Sequence, residues 1–262
     1  MRKLSLYLIF VAVFCVSCQF RIEPAEDGKD DHVVMVERFD RLQSRYLTTG
    51  DYAALQQMST QYPIETRTLI EDFLQLGEVN DPDINSRLLS FYQDTTLQNV
   101  LAEVQTQYAD MTDINQSLNQ AFQKLHRLIP SAAIPQVYTQ IGALGQSIII
   151  NDTLIGISLD KYLGEDFQPY VHFYDRQERM TMNRANIVPD CVLFYLLSLY
   201  PLADFETRTQ EERDEHIGKV MWASNQILGS THFKTPQAKA VADYVRDHPN
   251  KTIPKILSTK LF

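Results

Sequence analysis

Apolar residues recur at helical spacing through most of the chain after Val33, and one stretch, residues 137–159, breaks that rhythm. In HVVMVERFDRLQSRYL, Val36, Phe39, Leu42 and Tyr46 fall at i, i+3, i+6 and i+10, one face of a helix that Gly50 ends. Ile64 to Leu76 repeats the pattern behind Pro63 and stops at Gly77. Asp81-Pro82 offers an N-cap and a first-turn proline, opening a helix through Leu88, Leu89 and Tyr92. Further helices are expected at about 95–109 and 113–129, the second closed by Pro130.

The exceptional stretch holds VYTQIGAL and SIIINDTLIGISL, both rich in β-branched residues, and Asn151-Asp152 between two apolar runs reads as a hairpin turn. Ile155, Ile157 and Leu159 alternate, as in a strand with one buried face. Asn186 to Leu202 is apolar nearly all round and predicts a central buried helix. After the polar stretch Glu206 to Glu215, the set Ile217, Val220, Met221, Ser224, Ile227 and Leu228 marks an amphipathic helix, and a last one runs from about Pro236 to Arg246. No long repeat recurs and no Gly/Pro-rich linker divides the body. The fold class is therefore α+β, mainly α-helical with one small β-hairpin or sheet, in a single domain over residues 33–262.

Residues 1–17, MRKLSLYLIFVAVFCVS, carry a basic start at Arg2 and Lys3 and then an apolar run too short to span a bilayer comfortably. A secretory signal is the better reading. Cys15-Val16-Ser17-Cys18 resembles a bacterial lipobox, with Cys15 where Leu is usual, so Cys18 is the expected lipid attachment site, carrying palmitate-type acyl chains. An ordinary signal peptide and an uncleaved anchor are the alternatives. Residues 18–32 include QFRIEPAEDGKDD, acidic and without sustained periodicity, and read as a solvated tether. Only Cys191 lies in the body, so no disulfide can staple the domain, and its apolar surroundings predict an inert buried thiol.

Charge excludes one class of partner. With 24 Lys+Arg against 33 Asp+Glu, the net charge is −9, the wrong sign for neutralising phosphates along a nucleic acid. It also predicts repulsion from anionic headgroups, leaving the acyl chains to hold the protein at a membrane.

Motifs of catalysis are absent from the sequence. HExxH, GxSxG, the Walker A loop, GxGxxG and paired CxxC do not occur, and the six histidines are scattered. His126 sits among Leu125, Leu128 and Ile129 as a hydrogen-bonded boundary histidine, and Glu212/His216 within EERDEH reads as a solvated charged face rather than half a metal site. No catalytic residue, metal ligand set or cofactor is expected. One cluster stands out: Asp160, Tyr162, Gly164 and, further on, Tyr170 follow directly after the hairpin, where loops at strand ends often build sites. Asp160 can position a partner or cap a helix, and the tyrosines can offer a contact surface, making this a possible interaction loop. The alternative is a tight turn in which Gly164 takes a special backbone angle and the tyrosines pack, hydrogen-bonding at their tips.

Several of these segments come together in a resemblance. The lipoprotein signal, Arg38-Phe39-Asp40 early in the first helix, Tyr62-Pro63 before a helix and Ile157-Ser158-Leu159-Asp160-Lys161-Tyr162-Leu163-Gly164 resemble the gliding-motility lipoprotein GldB family of the Bacteroidetes. Phe122 to Pro130 with Pro135 to Thr139 is similar to that family's helix-Pro-strand junction, and Gly218-Lys219 to its small-residue-Lys pair on a late helix. The resemblance covers roughly residues 35 to 228, with ISLDKYLG its most specific piece. It implies an envelope lipoprotein, facing periplasm or cell surface, tied to the gliding machinery and its linked secretion system, without established catalytic residues. It also implies a distant similarity to zinc proteases that carry HExxH on a helix after a comparable hairpin. The corresponding helix here, NIVPDCVLFYLLSL, has neither His nor Glu, so it can neither hold zinc nor activate its water.

Two functions follow as expectations. The first is a non-catalytic, lipid-anchored binding or assembly component whose partners are the membrane and other envelope, secretion or motility proteins. The second is a degenerate or unconventional zinc-protease-like hydrolase, which requires His172, Asp175 or Glu178 to converge after Tyr170.

Overall fold

The computed structural model describes residues 33–262. The expected signal peptide (1–17), the tether (18–32) and Cys18 lie outside the described residues. The four strands are β1 (Val36–Glu37), β2 (Gln136–Gln140), β3 (Ile148–Asn151) and β4 (Leu154–Ser158). They form one sheet of order β1-β2-β4-β3, with β2 parallel to both β1 and β4, and β3 antiparallel to β4. The fold is α+β and mainly helical, as the periodicity predicts. Among the described residues, no helix is long and apolar enough to cross a membrane.

The helices preceding β2 are α1 (Phe39–Thr49), α2 (Tyr52–Gln61), α3 (Pro63–Arg67), α4 (Ile84–Phe91), α5 (Thr95–Gln107) and α6 (Thr112–Leu128). Val36 belongs to a strand, not to the first helix. Val34 and Val36 are buried while Met35 and Glu37 are exposed, a two-residue period. The Val34 and Val36 amides donate to the side chains of Asn119 and Asn115 on α6 (3.1 and 2.9 Å), so they are committed away from a helix. Gly50, at φ +68°, closes α1 as expected. Asp81 does not cap a helix. Its carboxylate accepts from the Glu78 amide and pairs with Arg87 (3.3 Å), and the helix begins later, at Ile84. The stretch behind Pro63 widens into a π-helical turn, Thr68–Phe73, which leaves Leu69 and Ile70 both buried.

Across the hairpin, Asn151 pairs with Leu154, so the turn is Asp152-Thr153, one residue beyond the expected position, with Asp152 at φ +49°. Gly156 faces Tyr138 across the parallel pair, and a Cβ there would lie 2.5–2.9 Å from the tyrosine ring and hydroxyl. The glycine lets the ring cross β4.

After β4 a 3₁₀ turn (Leu159–Lys161) leads to α7 (Gln168–Phe173), α8 (Arg176–Arg179), α9 (Ile187–Leu199), α10 (Gln210–Leu228), α11 (Pro236–Asp247) and α12 (Ile253–Ser258). α9 packs on β3, β4, α6 and α10, its inner face formed by Ile187, Cys191, Val192, Tyr195 and Leu196. It ends at Leu199 rather than Leu202 and is not buried all round, since Phe194 is 38% exposed. EERDEH opens α10 instead of preceding it. Thr209 and Glu212 form a capping box that satisfies the first amides. The Gly218-Lys219 pair has a packing reason: a Cβ on Gly218 would lie 2.9 Å from the Gln237 backbone, so the glycine sets how closely α11 docks.

Candidate functional site

Sites in sheets with parallel strands tend to form beyond the carboxyl ends of the strands. Here the ends of β2 and β4 carry buried polar side chains, Thr139, Gln140, Ser158 and Asp160, facing Asp40 and Gln43 from α1. Buried polar groups need partners, and these have them. The Gln43 amide donates to the Ile141 carbonyl (2.6 Å) and accepts from its N–H (2.9 Å), while Tyr92 donates to the same carbonyl (2.6 Å). Gln140 donates to the Ser158 hydroxyl (3.3 Å). Asp40 receives two bonds from the Arg38 guanidinium (2.8 Å each) and one from Thr139.

Asp160 is fully buried, and its carboxylate accepts from the Gly142 and Leu144 amides (2.7 and 2.5 Å). The intervening backbone curls around it, with Ala143 and Leu144 at positive φ. Burial pushes the Asp160 carboxyl up from the ordinary value, and the two amides oppose that rise. Tyr170 donates to the Asp160 main-chain carbonyl and accepts from the Leu163 amide (3.0 Å). Tyr108 donates to the Tyr162 carbonyl (2.6 Å), and Tyr162 donates to Asp190 on α9 (2.8 Å). Burial raises the Asp190 carboxyl to about 6, with the Tyr162 bond acting in the opposite direction. Tyr174 donates to the Leu144 carbonyl (2.5 Å) and accepts from Lys161 (2.9 Å); burial pushes its phenol up to about 12. Gly164 sits at φ +104° and donates to Met182 (2.9 Å).

The four residues singled out after the hairpin thus lie together, but three of the side chains face inward. Asp160 and Tyr170 are fully buried and Tyr162 is 1% exposed. Tyr162 and Tyr170 therefore do not form an outward contact surface: their rings complete the core and their hydroxyls tie the loop together. Outside the loop are Glu165 and Asp166, followed by Val171 and Phe173 on α7 (46% and 63% exposed).

His172, Asp175 and Glu178 are exposed, and the two acids form the capping box of α8. Among the described residues, no group of three His, Cys, Asp or Glu side chains is placed to hold a metal ion. Cys191 is buried, and burial raises its thiol well above the usual range, where the nucleophilic thiolate does not form. His126 places Nδ1 2.9 Å from the Ala132 carbonyl. His216, expected on a solvated face, is buried, next to the Lys219–Glu215 ion pair (3.2 Å). Asp40, Gln43, Thr139 and Gln140 were not among the expected site residues. Their one trace in the sequence is polar residues one turn apart on the face of α1 that also buries Phe39 and Leu47.

A family model described as "Gliding motility protein GldB" matches residues 23–235, more than half of the chain. No curated protein matches, and no solved structure does.

Proposed function

The chain belongs to the gliding motility GldB family, and from that membership we propose that it is a non-catalytic, lipid-anchored envelope protein acting as a binding or assembly component of the gliding apparatus. The family match over residues 23–235 carries this reading. The sequence around Cys18 supports the anchor, with the thiol acylated and the chain then cut before it, and the acidic tether separating the bilayer from the body. The body faces the periplasm or the cell surface, and its partners are other envelope, secretion or motility proteins. Its acidity disfavours nucleic acid.

Internal use of the polar groups supports a scaffold rather than a reaction centre. Asp160 is engaged by backbone amides, Asp190 by Tyr162, and Asp175 and Glu178 by each other's backbone. A general acid or base has to reach a substrate proton, and these groups are already committed. The loop holds its shape through these bonds, and it presents Glu165, Asp166, Val171 and Phe173 as the surface for a partner.

The test follows labelled fatty acid into wild type and Cys18→Ala, with cross-linking from the membrane fraction and a gliding assay on the deletion strain. Label is expected in wild type alone, together with a cross-linked envelope partner and lost spreading. An unacylated amino terminus on freely diffusing protein, or normal spreading without the gene, would overturn the reading.

A further inference from the structure

The two edges of the sheet are finished differently. At β1 the amides of Val34 and Val36 are taken by the Asn119 and Asn115 side chains of α6. At β3 the ladder with β4 fixes which main-chain groups are used. Asn151 and Leu154 flank the two-residue turn, and the Ser158 amide donates to the Ser147 carbonyl (2.9 Å), so residues 147, 149 and 151 aim their main-chain polar groups at β4. Ile148 and Ile150 therefore turn their N–H and C=O outward, and these groups have no hydrogen-bond partner among the described residues.

An open edge of this kind is a template for another strand, and folded chains ordinarily blunt it with proline, charge or a bulge. Residues 147–151, Ser-Ile-Ile-Ile-Asn, contain no proline and no charge, and the unbroken register with β4 leaves no bulge. Ile148 is buried in the core and Ile150 packs against it, while Ile149, which alternation turns to the opposite face, is half-buried and lies outside the core cluster.

We propose that β3 pairs with β3 of a second copy of this chain, antiparallel about a twofold axis through Ile149. The outward groups select this register, because it sets Ile148 opposite Ile150 and lets each such pair exchange both its N–H···O=C bonds. The register is also self-complementary, as a twofold interface requires. Ile149 meets its own copy, Asn151 meets Ser147 and Asp152 meets Gln146, so no like charges face each other although the chain carries a net charge of −9. Repulsion between the two acidic bodies acts from further away and is screened by salt over about 8 Å.

Single cysteines placed in the full-length protein, in its own membrane fraction, read this register. Ile149 and its copy form a non-hydrogen-bonded pair with Cα atoms about 4.5 Å apart, within disulfide reach. Asn151 lies about 14 Å from its own copy along the paired strands, beyond that reach, although it is the more exposed residue. After mild oxidation, peptide mapping is expected to find a disulfide joining two copies at residue 149 in Ile149→Cys, and about tenfold less at residue 151 in Asn151→Cys. Two differently tagged copies supply a second readout. Ile149→Lys in both should lower their co-capture about tenfold, and Ile149→Lys with Ile149→Glu should restore it, which also shows that the variants fold. Linking at 151 as strong as at 149, linking of residue 149 to a different protein, no linking at either position, or co-capture indifferent to these charges would overturn the proposal.

Discussion

Tyr162 donates its phenolic hydrogen to Asp190 across 2.8 Å, tying the loop after β4 to the first turn of α9. Burial dominates the carboxyl, raising it to about 6 from an ordinary 3.8, although the Tyr162 bond favours the charged form. Between those two values the folded protein retains a proton that the unfolded chain has released. The unfolded state therefore binds fewer protons, and this group's contribution to stability falls as pH rises from about 4 to 6. The gap corresponds to a contribution on the order of 3 kcal/mol. Asp190→Asn keeps an acceptor for Tyr162 but does not titrate, so it should gain on wild type by up to that amount between pH 4 and 7. Urea unfolding at the two pH values measures the gain; parallel stability curves would refute it.

Asp160 supports the β2–β3 connection through the Gly142 and Leu144 amides. Asp160→Ala leaves both N–H groups buried without an acceptor, at roughly 1–3 kcal/mol each. The variant is expected to lose about 2–6 kcal/mol, and hydrogen exchange should show Gly142 and Leu144 exchanging faster than the strand amides of β4. Unchanged exchange at those two amides would mean that the carboxylate does not hold the loop.

How much of this was legible in the sequence depends on whether a residue's neighbours lie close in the chain. Gly50 and Pro130 mark helix ends because capping and proline sterics act over one turn, and α5, α6 and α11 fall close to their expected limits. Val36 fits the helical spacing of its neighbours yet lies in β1, because its deciding partner, Asn115, is 79 positions away. The polar face of α1 was hidden for a related reason. Apolar periodicity marks which residues leave water, but Asp40 and Gln43 also leave it, supported by partners on β2 and just beyond it that no local pattern announces. Asp160, Tyr162 and Tyr170 stood out as a cluster, yet whether they point in or out rests on Tyr108, Asp190 and the 142–144 backbone.

Gly218 carries a second prediction about packing. In a helix interior, replacing Gly with Ala ordinarily stabilises by about 1 kcal/mol. At this position the new Cβ would lie 2.9 Å from Gln237 backbone atoms, which cannot swing away as a flexible side-chain tip can. Overpacking of this kind costs about 1–3 kcal/mol and should outweigh the propensity gain. Gly218→Ala is expected to lower the melting temperature, and Gly218→Leu to lower it further by displacing α11. An Ala variant more stable than wild type would show that α11 yields at little cost.

Cys191 reports on the integrity of the core without perturbing it. It is fully buried in α9, and burial holds its thiol well above the ordinary range, so the native state offers almost no reactive thiolate. Alkylation should then proceed only through opening of the structure, at a rate set by the opening equilibrium and not by intrinsic thiol chemistry. Peptide mapping after a timed pulse of iodoacetamide separates Cys191 from Cys15 and Cys18. The expected result is negligible modification in native buffer and rapid modification in denaturant. The logarithm of the labelling rate should rise in Asp160→Ala and Gly218→Ala in proportion to their loss of stability, about tenfold for each 1.4 kcal/mol where opening is global. Prompt alkylation of native Cys191 would place an access path beside α9 that the packing around Ile187, Val192 and Tyr195 does not contain.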